Sequence, residues 1–257
     1  MSHPKKPIFV LIPGASQNPS HYAHLLHLLQ SAGHGTFTGL LPSIGATDPV
    51  TAVDDTHYIR HRLLLPLLDV ARQDVILISH SYSGMPASAA AFGLARADRA
   101  AEGKSTEVLG QIFIASILPR GGDGSSVIDG FGGQLPPHIQ FDEKENLLKC
   151  ADPIPPLFYD VEPVLAAAAA RSSLSQGYTS FASECPQASW ATEAFRGRVA
   201  YIHTLQDRAV PYEAQRAMVE ATGVEWVTRE LDTGHSPQMS AAEELAGVIL
   251  EVAGLWV

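Results

Sequence analysis

The sequence is poor in cysteine, in basic clusters and in long apolar runs, and each shortage removes a class of protein. Only two cysteines, Cys150 and Cys185, occur in 257 residues. That is too few for a disulfide framework, although both fall in one segment and a single bridge between them is conceivable. Such sparse use fits a reducing compartment, and the cytoplasm is the expected location. Lys and Arg number 17 against 27 Asp and Glu, a formal net charge of −10, and no basic run exceeds the pair Lys5-Lys6. A phosphate backbone or an anionic lipid surface would on average be repelled, which argues against nucleic acid and membranes as partners. No apolar stretch approaches the roughly 20 residues that span a bilayer. The run Ile8 to Ile12 ends at Pro13-Gly14. It is too short for a signal-peptide core and reads as a buried first strand.

What is present suits one large α/β unit. The chain is 46% hydrophobic and 17% charged, enough apolar material for a sizeable core. Short β-branched runs alternate with helical patterns, the signature of a parallel sheet with helices on its faces. After Ile8 to Ile12 comes a helix over Pro19 to Ala32, with Leu25, Leu26, Leu28 and Leu29 at helical spacing and Gly33 at its end. A weak strand near Thr36 to Leu40 precedes a helical pattern from Val53 to Ala71, which Pro66 should kink. Val75 to Ile78 is the strongest strand signal and leads into an alanine-rich helix running to about Arg96. Further strands are expected at Ile112 to Ala115, Val199 to His203 and from Val224, with helices over Tyr212 to Ala221 and Ala241 to Ala253.

One stretch breaks the alternation. Residues 119–190 are first Gly-rich, then Pro-rich, then helical around Ala166 to Ala170, with no convincing strand. A plain loop of that length is implausible in a compact domain. Phe158, Tyr159, Leu165, Leu174, Tyr178 and Phe181 supply apolar groups to pack. The expected organisation is therefore a core of residues 1–118 and 191–257 with an inserted helical lid over 119–190.

The chemistry concentrates on Ser79-His80-Ser81-Tyr82-Ser83. A serine at the tip of a buried strand, leading straight into a helix, exposes its Oγ and faces the backbone N–H groups of the helix start. Small residues two before and two after it let backbone segments approach; the usual pattern is G-x-S-x-G, and serine replaces both glycines here. Ser79 should still lie in the strand and Ser83 already in the helix, which leaves Ser81 as the best nucleophile. A serine needs a base, and in this architecture the acid and then the His follow on loops after later strands. Asp207 and His235 satisfy that order and placement; Asp232 is a competing acid on the loop of His235 itself. Other patterns fail. His21, His24 and His27, like His57 and His61, recur at helical spacing without a carboxylate or thiol to complete a metal set. Gly103-Lys104-Ser105 lacks a preceding strand and the first glycine of a phosphate loop. His80 reads as a packing residue rather than a second base.

With these residues in hand, the sequence resembles the α/β-hydrolase superfamily. It is especially similar to the branch of plant methylesterases, hydroxynitrile lyases and their microbial relatives. The matching stretches are Phe9 to Ala15, Leu28 to His34, Ile76 to Gly84, the Asp207 loop and Gly234-His235. The resemblance implies Ser81, Asp207 and His235 as a catalytic triad and the backbone N–H groups of Ala15 and Tyr82 as an oxyanion hole. Relatives often carry His where Pro13 stands. The cyanohydrin-cleaving lyases carry Thr where Gly14 stands and Lys where Ser236 stands, which counts against that activity. The expected function is cofactor-free and metal-free hydrolysis of a small, apolar or aromatic ester. A lyase or cyclase on the same triad, and a ligand receptor on the same fold, are the alternatives. A small molecule is the expected partner, and a homodimer is left open.

Overall fold

The computed structural model describes residues 6–257; residues 1–5, including Lys5 of the basic pair, lie outside the described residues. The strands are β1 (Ile8–Ile12), β2 (Thr36–Thr38), β3 (Val75–His80), β4 (Val108–Ile114), β5 (Gln140–Asp142), β6 (Leu147–Lys149), β7 (Gln176–Gly177), β8 (Val199–Thr204) and β9 (Val227–Leu231). Six of them form one sheet in the order β2-β1-β3-β4-β8-β9. Every pairing in it is parallel, with Leu11 beside Ile78 and Ile78 beside Ile112. Since all six run the same way, their carboxyl ends share one edge, where ligand sites of such sheets gather.

The near-continuous apolar runs seen in the sequence follow from burial on both faces. Phe9, Leu11, Ile76, Ile78, Ile112 and Ile114 point to one side, against Leu25 and Leu29 of the helix Ala23–Ser31 and Leu245, Ile249 and Val252 of the helix Ala242–Ala253. Val10, Ile12, Val75, Leu77 and Phe113 point to the other, against Ile59, Leu63 and Leu64 and the helix Gly84–Ala90. Residues two apart share a face, as the pleat requires.

Several boundaries differ from expectation, each for a local reason. The alanine-rich helix stops at Ala90 and a separate helix spans Arg96–Ala101. Between them Gly93 takes φ +72°, which ends a helix. The last sheet strand starts at Val227 rather than Val224, after Gly223 closes the helix Tyr212–Thr222 in the left-handed conformation. The helix Ala52–Tyr58 does continue past Pro66, but in wider π-type turns over Ile59–Leu64 and Pro66–Val70. Pro66 has no N–H to give, and the wider turns absorb that loss.

The largest correction concerns residues 119–190, which contain three strands where none was expected. β5, β6 and β7 form a small antiparallel sheet, and the segment also carries the helix Pro163–Ser172. Phe158 and Phe181 are buried as expected, while Leu165 and Leu174 are exposed. Cys150 and Cys185 are both free thiols. No helix among the described residues is long and apolar enough to cross a membrane.

Gly84 allows the helix after Ser81 to lie against the end of β4. A Cβ added there would meet the Ile117 carbonyl oxygen and the Ser116 Cβ, each at 2.7 Å. Gly84→Ala should therefore lower stability by about 1–3 kcal/mol. Gly247→Ala, in the helix Ala242–Ala253 where an added Cβ meets nothing, should raise it by roughly 0.5–1 kcal/mol. Urea midpoints at unchanged m-value read both, and effects of equal sign would contradict the packing described.

Candidate active site

β3 ends at His80, and the chain turns at Ser81 into a short 3-10 turn and then the helix Gly84–Ala90. Ser81 takes φ +55°, the left-handed region that a residue with a Cβ enters at a cost of about 1–2 kcal/mol. Hydrogen bonds around the turn hold it there. The Ser83 hydroxyl accepts the His80 N–H at 2.9 Å and lies 2.8 Å from the Ile12 carbonyl. The Ile117 N–H donates to the Ser81 carbonyl at 3.2 Å. Ser83 is thus a brace for the turn. Ser79 lies buried within the strand, and its carbonyl accepts from the Ser116 hydroxyl at 3.1 Å. Ser81, half-buried at the turn, is the serine of the three that borders the pocket above the sheet edge.

The loops after β8 and β9 bring Asp207 and His235 to the same place. His235 Nε2 lies 3.0 Å from Ser81 Oγ, and its Nδ1 lies 2.8 Å from Asp207 Oδ2. With Nδ1–H donating to the carboxylate, Nε2 is left as the acceptor facing the serine. Burial alone would push the Asp207 carboxyl up. The His235 ring, the Val210 N–H and the Thr204 hydroxyl outweigh it and hold Asp207 below its ordinary value. The other carboxylate oxygen accepts the N–H groups of Ala209 and Val210, each at 2.8 Å. Asp232, the competing acid, is exposed and accepts from the Gln206 side chain at 2.9 Å, away from His235.

Ala15 and Tyr82 also line the pocket with Ser81 and His235. The loop of Ala15 comes so near the Ser81 turn that a Cβ on Gly14 would stand 2.9 Å from His80 Nδ1 and 3.0 Å from Ser81 Cβ.

A model of the alpha/beta hydrolase family matches residues 9–248. The chain belongs to that family. This hydrolase is 27% identical to "Probable hydrolase R7" of a Phoma species, over 97% of this chain and 99% of that protein. It is 26% identical to "Salicylic acid-binding protein 2" of Nicotiana tabacum, over 95% of this chain and 96% of that one. Among solved structures, polyneuridine aldehyde esterase superposes with a TM-score of 0.75 at 19% identity, covering 97% of this chain and all (100%) of the other. The likenesses to the tobacco protein and to the esterase agree with the resemblance read from the sequence.

Sequence reasoning missed a buried polar network that ties the three loops of this hydrolase together. His80, fully buried, donates from Nε2 to the His235 carbonyl at 2.7 Å. Its Nδ1 is then an acceptor, 2.8 Å from the Tyr22 hydroxyl. That hydroxyl accepts the Gly14 N–H at 3.1 Å and meets Gln17, whose amide donates to Ser236 Oγ at 3.1 Å. His80 therefore does more than pack. Burial, and the nearby His235 ring, push its pKa down to about 3, so it is neutral and no base at working pH. Residues 119–190 supply further walls, including Phe131, His138, Cys150, Leu157 and Phe181. Tyr159 donates to the Gln206 carbonyl at 2.8 Å, and Asp160 accepts the Gly234 N–H at 2.6 Å. The separations are too long in sequence for a spacing rule to find them. Neither histidine set forms a metal group: His21 bonds Ser172 Oγ at 2.8 Å, and His24 faces Glu243 at 3.5 Å. Among the described residues no cluster of three or more His, Cys, Asp or Glu could hold an ion.

The neutral His80 has a consequence for acid stability. Its folded pKa lies below that of an unfolded histidine, so only the unfolded chain gains its proton as pH falls below about 6.5. Between pH 7 and pH 5 the wild type should lose roughly 2 kcal/mol more stability than His80→Gln. Urea unfolding at the two pH values measures it, and identical losses would show that His80 ionises freely in the fold.

Proposed function

We propose that this protein is a serine hydrolase of small esters with an apolar or aromatic group. Ser81 is the nucleophile, His235 the base and Asp207 the group that orients it. The reading rests on one observation above all: His235 Nε2 at 3.0 Å from Ser81 Oγ while Nδ1 is 2.8 Å from the buried Asp207 carboxylate. In the acylation step Ser81 Oγ bonds to the ester carbonyl carbon while His235 Nε2 takes its proton. The oxyanion forms beside the N–H groups of Ala15 and Tyr82, each worth about 3–4 kcal/mol in comparable sites. Collapse breaks the ester C–O bond, and His235 returns the proton to the departing alcohol. A water molecule then repeats the sequence on the acyl-serine, releasing the acid and restoring Ser81. No cofactor is needed for any step.

Residues 119–190 act in this reading as a lid whose apolar walls exclude water and favour an apolar substrate. The esterase and hydrolase names among the relatives agree with ester chemistry, and the tobacco protein's name points to aromatic acids as fitting cargo. Cyanohydrin cleavage fits poorly. A side chain at position 14 would press on His80 Nδ1, and Ser236 is fully buried against Gln17, where a lysine would lose its hydration.

A fluorophosphonate should modify Ser81, as located by mass spectrometry of the labelled peptide, and His235→Ala should abolish labelling. Ser81→Ala should keep the fold and lower p-nitrophenyl acetate turnover by roughly 10³–10⁶-fold. Near-normal turnover by that variant would remove Ser81 from the chemistry.

A further inference from the structure

The space directly above Ser81 is small. The pocket bordered by Ser81, Tyr82, Ala15 and His235 has a volume of about 60 Å³, room for a few water molecules at roughly 10–15 Å³ each. Two larger cavities adjoin it. One, of about 260 Å³, shares Ser16 and Cys150 with the pocket and has a mixed wall, with Lys149, Ser173 and Ser175 beside Pro153, Ala170 and Leu174. The other, of about 290 Å³, shares Ile117 and Phe131 with the pocket. Its remaining wall is mostly apolar, with Leu118, Val127, Trp190 and Met218.

We propose that this second cavity, between the start of the 119–190 segment and the helix Tyr212–Thr222, receives the apolar arm of the ester. The proposal rests on the hydrolase reading above and specifies which substrates that site takes. Only a layer of side chains, Ile117 and Phe131, separates the cavity from Ser81. Ile117 is fixed in the core. Phe131 is half-buried at the end of the turn Val127–Gly130 and is followed by Gly132 and Gly133, both with positive φ. The N–H groups of Phe131, Gly132 and Gly133 are bonded back onto the turn and hold the backbone, so a swing of the Phe131 ring alone joins the two spaces. An alkyl or aryl arm then exchanges water for contact with a mostly apolar wall. The cavity at Lys149, whose wall is as polar as it is apolar, offers less of that exchange. The substrate class is an ester with a small group on one side and a medium-length alkyl or aryl group on the other.

The test fills the cavity from the side away from Ser81. Gly130 and Ala221 both line it; a Cβ added at Gly130 meets nothing within 4 Å, and Ala221 is exposed on its helix. Gly130→Phe and Ala221→Phe, checked for folding by circular dichroism, are compared with wild type on two ester series. One lengthens the acyl chain from methyl acetate to methyl octanoate, the other the alcohol from methyl to octyl acetate. In one series wild-type kcat/KM should rise by up to roughly fourfold per methylene over the first few carbons. In both variants that rise should be lost, at least tenfold for the longest ester, with the shortest ester changed less than twofold. Length dependence that survives both substitutions, or equal loss on short and long esters, would overturn the cavity's role while leaving Ser81 chemistry intact. Absence of cleavage of every ester by the wild type would instead overturn the hydrolase reading, and this proposal with it.

Discussion

The backbone at Ser81 is the constraint from which the rest follows. A serine with φ +55° is unfavourable in isolation, and it persists because neighbouring elements leave it no alternative. β3 is paired on both sides and fixes where the chain arrives. Gly84 lets the departing helix lie against Ser116 and Ile117, and Ser83 braces the turn against Ile12. Relaxing that conformation would require moving the centre of the sheet. The Oγ is thus held in one position toward the pocket by the packing of the whole core.

The same economy governs the histidine. The His235 ring is held at Nδ1 by Asp207, and its own backbone is held by His80, the residue before Ser81. Tyr22, Gln17 and Ser236 extend that hold to the loop of Gly14 and Ala15. Three loops far apart in sequence are thereby cross-linked by buried hydrogen bonds in which, the Asp207 carboxylate apart, the groups are neutral. A charged network in the same place would carry a heavy desolvation cost; burial lowers the His80 pKa instead, and the network stays uncharged.

The architecture was legible because parallel strands buried on both faces leave unmistakable apolar runs, as at Val75 to Ile78. The placement of Ser81, Asp207 and His235 was legible because each follows such a run. What sequence could not reveal depends on the third dimension. Gln17 and Gln238 look like ordinary polar residues until their partners are known. The strands β5, β6 and β7 are two or three residues long, below the length at which alternation can be seen. Gly93 and Gly223 set their helix ends by φ, and neither carries an apolar pattern that would mark the boundary beforehand.

The contacts of Tyr159 and Asp160 couple the cover of the pocket to the machinery beneath it. One reaches the loop that bears Asp207 and the other the residue before His235. Lifting this stretch away from the sheet edge would untether both loops in the same movement. A site laid bare to solvent would then also be a site out of alignment, so that exposure of Ser81 and its alignment with His235 would not coincide.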